Sequence, residues 1–329
     1  MKTIGVNGFG RIGRYFTRLS LDNPSIDVAV VNDLTDVNTL AHLFKYDSVH
    51  RRLNHSFNVE GNKIVFENGK EIHFLSEKDP EKIRWSDYGV EIVLESTGVF
   101  RTKEKASKHL VGGAKKVLLS APGKGGDIRT IVLGVNDHLL EESDTIVSNA
   151  SCTTNSAAPM VKAIQSLCEI ESAYLTTIHS YTSDQRLQDA PHRDLRRGRA
   201  AAESIIPTTT GAADALVKIF PNLEGKIGGC AVRVPVPDGS LTDMTFVVKN
   251  PPSKEQVIEA IKQFADGELK GILGYTEDPI VSVDIIGNPY SCIFDVQLTD
   301  VIGNMIKVVG WYDNEAGYSN RLIDLAIKL

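Results

Sequence analysis

The chain has 329 residues, of which 42% are hydrophobic and 24% are charged, and its formal net charge is −6. No apolar run approaches the ~20 residues that cross a bilayer, so a membrane span is excluded, and the negative charge weakens any general role in nucleic-acid binding. A chain of this length usually divides into two domains. Met1-Lys2-Thr3 leads directly into a strand-like segment, which leaves no room for a signal peptide and predicts a cytoplasmic protein.

The first predicted elements are a strand over residues 3–7, a glycine-rich turn and a helix over residues 14–19. The turn has the spacing G-x-G-x-x-G, in which Gly8 makes the tight turn, Gly10 admits a pyrophosphate and Gly13 packs the helix on the strand. The N-terminus of the helix then favours phosphate groups. This order of elements predicts a dinucleotide-binding site.

A second strand, over residues 26–32, ends at Asp33. A carboxylate at this position can bind the ribose hydroxyls of adenosine, and it would repel a 2′-phosphate. The sequence therefore predicts NAD, rather than NADP, as the cofactor.

Buried-type strands over residues 90–95 and 116–120 flank a helical stretch over residues 103–110, which indicates βαβ units of a parallel sheet. Between about residues 56 and 76, two shorter strand-like segments lie on either side of Asn68-Gly69, a hairpin signal. The sheet is therefore predicted to be mixed.

The four cysteines are widely spaced and contain no C-x-x-C pair. This spacing fits neither a disulfide framework nor a zinc site, so we expect free thiols and no metal. Three of the four lie in apolar helix-like or strand-like stretches and are interpreted as buried side chains: Cys168, Cys230 and Cys292.

Cys152 has a different context. It follows a strand over residues 145–148 and precedes a helix-like stretch over residues 160–167, so it should lie near a helix N-terminus. That position lowers a thiol pKa and supplies backbone N–H groups for an oxyanion, as thiol attack on a carbonyl requires. Pro159 would kink a helix that began earlier, which leaves the helix start undetermined.

A β-branched strand over residues 174–178 delivers His179 at its end. There it could take the proton of Cys152, stabilise the thiolate and act as the acid–base group during hydride transfer.

Polar residues farther along the chain could bind anions: Thr182, Arg197, the run Thr208-Thr209-Thr210-Gly211 before a helix, and Arg233. The basic cluster over residues 192–199 is open to three interpretations, namely a solvated face, a nucleic-acid patch and a small-anion site.

Three motifs carry a family resemblance: Asn7-Gly8-Phe9-Gly10-Arg11-Ile12-Gly13-Arg14, Ser148-Asn149-Ala150-Ser151-Cys152-Thr153-Thr154-Asn155 and Trp311-Tyr312-Asp313-Asn314-Glu315. With these motifs the chain resembles the phosphorylating glyceraldehyde-3-phosphate dehydrogenases. The resemblance extends essentially from end to end of the chain. The resemblance implies an α/β fold with an N-terminal Rossmann-type NAD-binding domain and an α+β catalytic domain with a mixed or antiparallel sheet. It places the first domain at residues 1–150, joined by a helix over 315–329, and the second at residues 151–314.

The resemblance also implies a reaction. Cys152 would add to the aldehyde of glyceraldehyde 3-phosphate as a thiohemiacetal, hydride would pass to NAD⁺, and inorganic phosphate would cleave the thioester to an acyl phosphate. By position in the family motifs, His179 is the base. The implied phosphate ligands are Ser151, Thr153, Thr210, Gly211 and Arg233, with Thr182 and Arg197 for the substrate phosphate. The implied NAD contacts, besides the glycines, are Arg11, Ile12, Asp33, Lys78, Ser120 and Asn314, the last orienting the nicotinamide carboxamide.

The family further implies a homotetramer, in which the loop over residues 181–203 reaches toward a neighbouring subunit's cofactor. Three positions differ from many relatives: Ser156 replaces a second cysteine, Lys78 replaces an arginine near adenine, and Ala190 replaces a leucine before Pro191. Two other functions stay open, an erythrose-4-phosphate dehydrogenase and a non-catalytic NAD-sensing or nucleic-acid-binding relative.

Overall fold

The computed structural model describes residues 1–126 and 128–329. The chain folds into two compact units. The first unit comprises Met1–Ile131, His138–Ala150 and Ser319–Leu329, and the second comprises Val132–Asp137 and Ser151–Tyr318.

Alternating strands and helices build the first unit. Its elements are β1 (Lys2–Asn7), α1 (Arg11–Leu21), β2 (Ile26–Asn32), α2 (Val37–Lys45), β3 (Phe57–Glu60), β4 (Lys63–Phe66), β5 (Glu71–Leu75), β6 (Ile92–Glu95), α3 (Lys103–Val111), β7 (Lys116–Leu119), β8 (Arg129–Thr130) and β9 (Ile146–Ser148).

Among the described residues, the strands of this unit form one sheet in the order β3-β4-β5-β2-β1-β6-β7-β9-β8. The pairs from β5 to β8 are parallel, whereas β3, β4 and β5 pair antiparallel. The mixed sheet and the hairpin at Asn68-Gly69 are thus confirmed, with Gly69 at φ +81° in the turn. All residues of β6 and β9 are buried, as expected for central parallel strands that are covered on both faces.

The second unit contains longer strands. Its elements are α4 (Cys152–Leu167), β10 (Ile170–Ser180), β11 (Ile206–Thr208), α5 (Ala212–Ile219), β12 (Ile227–Val234), β13 (Ser240–Val248), α6 (Lys254–Asp266), β14 (Leu273–Thr276), β15 (Cys292–Asp295), β16 (Asp300–Ile302) and β17 (Met305–Tyr312). The last helix of the chain is α7 (Ala316–Lys328).

The sheet of the second unit has the order β11-β12-β10-β13-β17-β15-β14, and β16 pairs with β17. The pairs β10–β12 and β14–β15 are parallel and the others are antiparallel. The predicted α+β architecture is therefore confirmed. Within the described residues, no helix combines the length and the apolar composition that a membrane span requires.

Helix α4 begins at Cys152 and continues through Pro159. The proline cannot donate to the carbonyl of Asn155, so an isolated helix would be weakened there. Eleven residues of this helix, the proline included, are buried in the core of the second unit: Thr153, Thr154, Asn155, Ser156, Ala157, Ala158, Pro159, Met160, Val161, Ala163 and Ile164. Tertiary packing therefore determines where this helix begins.

Candidate active site

The turn between β1 and α1 has the geometry of a phosphate cradle. Gly8 has φ +95°, and a Cβ on it would lie 2.8 Å from the backbone nitrogen of Thr97. A Cβ on Gly13 would lie 2.2 Å from the carbonyl oxygen of Gly8. Gly10, in contrast, faces open space: apart from its chain neighbours, no heavy atom of the described residues lies within 4 Å of its Cβ position. Two glycines are therefore required by the fold, and the third leaves room for a ligand at the N-terminus of α1.

A cavity of about 650 Å³ adjoins this turn. Among the described residues, it is lined by Asn7, Gly8, Gly10, Asn32, Asp33, Leu34, Glu77, Lys78, Ser96, Thr97, Val99 and Phe100. The carboxylate of Asp33 accepts hydrogen bonds from the backbone N–H groups of Phe9 (2.8 Å) and Thr35 (3.0 Å), which fix it at the cavity wall. The open cradle and the fixed carboxylate fit a dinucleotide.

The structure brings four of the sequence-predicted cofactor residues together in this lining: Gly8, Gly10, Asp33 and Lys78. Arg11, Ile12 and Ser120 lie outside the lining that the described residues form. Arg11 forms an ion pair with Asp47 (Nη1 to Oδ2, 2.7 Å). Ile12 is half-buried in the first turn of α1, and Ser120 follows β7, with its N–H donating to the carbonyl of Glu95.

Cys152 is the first residue of α4. Ser151 is the N-cap, and its Oγ accepts a hydrogen bond from the N–H of Thr154 (3.1 Å). Ala150, just before the cap, has φ +55°, an uncommon value for a residue with a Cβ. The predicted position of Cys152 near a helix N-terminus is confirmed.

The thiol of Cys152 lies 3.5 Å from Nε2 of His179. His179 is the penultimate residue of β10, and it is 5% exposed. This distance brings together the two residues that the sequence predicts as nucleophile and base.

The other ring nitrogen of His179 has two neighbours. Nδ1 lies 2.7 Å from the carbonyl oxygen of Ser180 and 2.7 Å from Nη1 of Arg233. A guanidinium only donates, so Nδ1 can accept from Arg233 or donate to Ser180, but it cannot do both. Burial and the charge of Arg233 lower the pKa of His179 to about 3, so the ring is neutral at physiological pH.

The expectation of a lowered thiol pKa is wrong. Cys152 as a whole residue is partly exposed to solvent, but its thiol is buried, and this burial raises the pKa of the thiol. The charge of Arg233 and the hydrogen bonds from Thr153 lower the pKa of Cys152 and only partly offset this effect. The thiol is therefore protonated at neutral pH, and it needs a base before it can attack.

Asn314 lies near the end of β10 in the second unit. Its Oδ1 accepts hydrogen bonds from the hydroxyls of Ser180 (2.8 Å) and Ser240 (2.7 Å). Two donors at the oxygen fix the orientation of the amide, so its NH₂ group is the end that can meet a carboxamide oxygen.

The predicted anion ligands form two groups. Arg197 donates to Thr208 Oγ1 (2.9 Å) and to the carbonyl of Thr209 (3.2 Å), beside Thr210 and Gly211 at the N-terminus of α5. Thr210 Oγ1 accepts from the N–H of Ala212. Arg233 instead lies beside His179, because these two residues are register partners in the parallel β10–β12 pair.

Arg197 also forms an ion pair with Asp184. The predicted anion ligand Thr182 donates its backbone N–H to Gln185 Oε1 (3.2 Å). The carboxylate of Asp184 thus occupies guanidinium donors that a phosphate would use. Sequence reasoning missed Asp184, because no motif identifies a residue that competes with a ligand.

Sequence reasoning also missed Tyr312 as a site residue. Its buried hydroxyl bonds to Thr153 Oγ1 (2.9 Å) and to Thr177 Oγ1 (2.8 Å), and its ring packs edge-on against His179. Tyr312 lies within the motif over residues 311–315, but its contacts with Thr153 on α4 and Thr177 on β10 form only in the folded chain.

Sequence models of two protein domains match the chain. "Glyceraldehyde 3-phosphate dehydrogenase, NAD binding domain" covers residues 2–103, and "Glyceraldehyde 3-phosphate dehydrogenase, C-terminal domain" covers residues 151–314. The chain belongs to the glyceraldehyde-3-phosphate dehydrogenase family. Membership in this family makes it an NAD-dependent oxidoreductase, as the resemblance implied.

The chain is also similar over nearly its full length to curated proteins named glyceraldehyde-3-phosphate dehydrogenase, which supports this family membership. The protein from Geobacillus stearothermophilus is 55% identical over 98% of this chain and 96% of its own length. Glyceraldehyde-3-phosphate dehydrogenase 1 from Bacillus subtilis is 52% identical over 98% and 96%, and the Thermotoga maritima enzyme is 53% identical over 98% of both chains. Neither an erythrose-4-phosphate dehydrogenase nor a non-catalytic relative is favoured by these matches.

Proposed function

We propose that the protein oxidises glyceraldehyde 3-phosphate to 1,3-bisphosphoglycerate with NAD⁺ and inorganic phosphate, through a thioester on Cys152. The observation that carries this proposal is the Cys152 thiol at the first residue of α4, 3.5 Å from Nε2 of a buried, neutral His179. A nucleophile beside a base at a helix N-terminus suits addition to a carbonyl.

In the first step, Sγ of Cys152 adds to the aldehyde carbon as its proton leaves the sulfur. His179 can take that proton at Nε2 when Nδ1–H donates to the carbonyl of Ser180. The aldehyde oxygen, once protonated, becomes the hydroxyl of a thiohemiacetal.

In the second step, the hydroxyl proton passes to His179 while the carbon loses a hydride, which leaves a thioester. NAD⁺, when bound, is the hydride acceptor. The residues that would hold it include Gly8, Gly10 and Asp33, with Asn314 offering its NH₂ group to the nicotinamide carboxamide. Phosphate oxygen then attacks the thioester carbon, and the Cys152 thiolate leaves.

The contacts support a division of the phosphate ligands that differs from the one implied by resemblance. Arg197 adjoins Thr210 and Gly211, so we propose these three, at the N-terminus of α5, as one anion site. Arg233 adjoins the Cys152–His179 pair, so we propose it, with Thr182, for the second anion. Ser151 and Thr153, at the start of α4, stay proposed ligands of inorganic phosphate.

We further propose a cytoplasmic homotetramer, with the cofactor bound by residues 1–150 and the helix over 315–329, and catalysis by residues 151–314. Three large apolar side chains of the second unit support an interface along the basic loop, because they are 70–85% exposed: Leu187, Leu195 and Ile205. In such an interface the basic cluster over residues 192–199 is part of a substrate and subunit-contact loop.

The proposal is tested by following NADH formation from glyceraldehyde 3-phosphate with and without inorganic phosphate. Parallel reactions contain NADP⁺ in place of NAD⁺, or erythrose 4-phosphate in place of the triose. We expect phosphate-dependent NADH formation that is fastest with the triose. Faster turnover of erythrose 4-phosphate, or tight NAD binding without turnover, would contradict it.

A further inference from the structure

A buried carboxylate and histidine lie next to the dinucleotide cavity of the first unit. Glu95 is 2% exposed and His109 is fully buried. Nε2 of His109 lies 3.0 Å from Glu95 Oε2, and Nε1 of Trp85 lies 3.2 Å from His109 Nδ1. Because an indole N–H only donates, Nδ1 accepts from Trp85 and the ring proton on Nε2 points to Glu95.

The carboxylate of Glu95 accepts three more hydrogen bonds. Asn7 Nδ2 donates to Oε2 (2.6 Å), and Thr97 donates its backbone N–H (2.9 Å) and its hydroxyl to Oε1. With His109, four donors meet the four acceptor positions of one carboxylate. A buried network whose members are all satisfied is rigid and specifies one arrangement of its side chains.

The network continues to the cavity wall. Asn7 Oδ1 accepts from Asn32 Nδ2 (2.8 Å), and the amide of Asn32 bonds both the carbonyl (2.9 Å) and the N–H (2.8 Å) of Glu77. Because Glu95 can only accept, Asn7 must turn its NH₂ group toward Glu95 and its oxygen toward Asn32. The orientation of Asn32, and with it the backbone at Glu77, follows from this constraint.

Four members of the network line the cavity: Asn7, Asn32, Glu77 and Thr97. Glu95 and His109 lie outside the lining that the described residues form. We propose that Glu95 and His109 are positioning residues for the NAD site, which fix the amides of Asn7 and Asn32 and the backbone at Thr97 before the dinucleotide binds. This inference rests on the proposed assignment of the cavity to NAD.

The first test is Glu95→Gln, measured by calorimetric titration with NAD⁺. The glutamine NH₂ group would face donors that now share a carboxylate, so at least one buried donor loses its acceptor. We expect the Kd for NAD⁺ to rise about tenfold or more. The KM for NAD⁺ should rise in parallel, whereas kcat, the KM for the triose and the alkylation rate of Cys152 without NAD⁺ should change little.

Two variants of His109, His109→Gln and His109→Leu, test the positioning role if Glu95→Gln does not fold. His109→Gln keeps an N–H that can reach Glu95, and we expect its Kd for NAD⁺ to stay within about twofold of the unaltered protein. His109→Leu removes that donor and should weaken NAD⁺ binding about tenfold. Equal affinities of these two variants would overturn the proposal.

Coupling distinguishes this proposal from a purely structural role. Asn32→Ala should weaken NAD⁺ binding in the unaltered protein and add little in the Glu95→Gln background, because both changes break one chain of contacts. Asp33→Asn should weaken binding in both backgrounds. If Asp33→Asn leaves the affinity unchanged, the assignment of the cavity fails. If it weakens binding while Glu95→Gln lowers only the thermal stability, the positioning role fails.

Discussion

Nη1 of Arg233 lies 2.7 Å from Nδ1 of His179, the ring nitrogen that does not face the Cys152 thiol. Where Nδ1 accepts from Arg233, the ring proton lies on Nε2, and Nε2 is then not free to act as a base. When an anion draws the guanidinium away, Nδ1–H can donate to the carbonyl of Ser180 and Nε2 can take the thiol proton. We therefore expect Arg233 to link anion binding to the protonation of His179.

Replacing Arg233 by glutamine tests this link. The positive charge of Arg233 lowers the pKa of both Cys152 and His179, so its removal raises both values. We expect the pH profile of iodoacetamide alkylation at Cys152 to move to higher pH, and kcat to fall on the order of 100-fold. Arg84→Gln, at an exposed arginine of the first unit, is the control. An unchanged alkylation profile would mean that Arg233 does not influence the thiol.

Two glycines of the cofactor turn should respond differently to alanine. A Cβ on Gly13 would collide with the carbonyl oxygen of Gly8, so Gly13→Ala should destabilise the fold by about 1 to 3 kcal/mol. A Cβ on Gly10 would contact none of the described residues beyond its chain neighbours, so for Gly10→Ala we expect unchanged stability and NAD⁺ binding about tenfold weaker or more. Urea denaturation and calorimetric titration of both variants measure the two effects. Wild-type NAD⁺ affinity in Gly10→Ala would exclude the cradle as the cofactor site.

The Tyr312 hydroxyl should matter for both stability and phosphate use. Tyr312→Phe leaves the hydroxyls of Thr153 and Thr177 without their shared partner, which should cost about 1 to 3 kcal/mol in the free energy of unfolding. We also expect a higher KM for inorganic phosphate, because Thr153 loses its orientation. Tyr275→Phe, at a partly exposed tyrosine, is the matched control and should change neither quantity. A phosphate KM equal to that of the control would restrict Tyr312 to a structural role.

Asp238 should make the stability depend on pH. Burial, and then the nearby charges of Asp313 and Glu315, raise the pKa of Asp238 to about 9. The carboxylate of Asp313 accepts backbone N–H bonds from Gly287, Glu315 and Ala316, and the raised pKa of Asp238 leaves the proton on Asp238 at neutral pH.

The direction in which stability changes with pH follows from the number of protons that the folded and unfolded chains bind. Between the ordinary aspartate pKa and about 9, the folded chain holds a proton on Asp238 that the unfolded chain releases. The stability contribution is complete at low pH and is lost as pH rises toward 9, by at most about 1.4 kcal/mol per pH unit. Denaturation between pH 6 and about pH 9 should show a smaller loss of stability in Asp238→Asn than in the unaltered protein or in Asp278→Asn. Parallel slopes in all three proteins would refute the assignment.

Local patterns were enough to predict much of the fold. The strand–turn–helix at Gly8, the hairpin at Asn68-Gly69 and the placement of Cys152 before a helix depend on neighbouring residues, and the structure has all three. The start of α4 was not predictable, because packing of the second unit, rather than local propensity, extends the helix through Pro159.

Long-range contacts set the properties that the sequence did not predict. Thr153 on α4 and Tyr312 on β17 are 159 positions apart and meet because α4 packs against β17. The raised pKa of Cys152 arises from burial, which no local motif reports. The Glu95–His109 network likewise joins residues from separate strands and helices, so its convergence on one carboxylate becomes visible only in the folded chain.

Replacing Cys152 by serine, with Cys168→Ser as the matched control, tests the thioester mechanism. We predict that Cys152→Ser loses phosphate-dependent NADH formation by about a thousandfold or more while its Kd for NAD⁺ is unchanged, because the nucleophile and not the cofactor site is altered. Cys168, a half-buried cysteine that follows α4, should be replaceable without loss of activity. Appreciable phosphate-dependent NADH formation by Cys152→Ser would contradict the thioester mechanism.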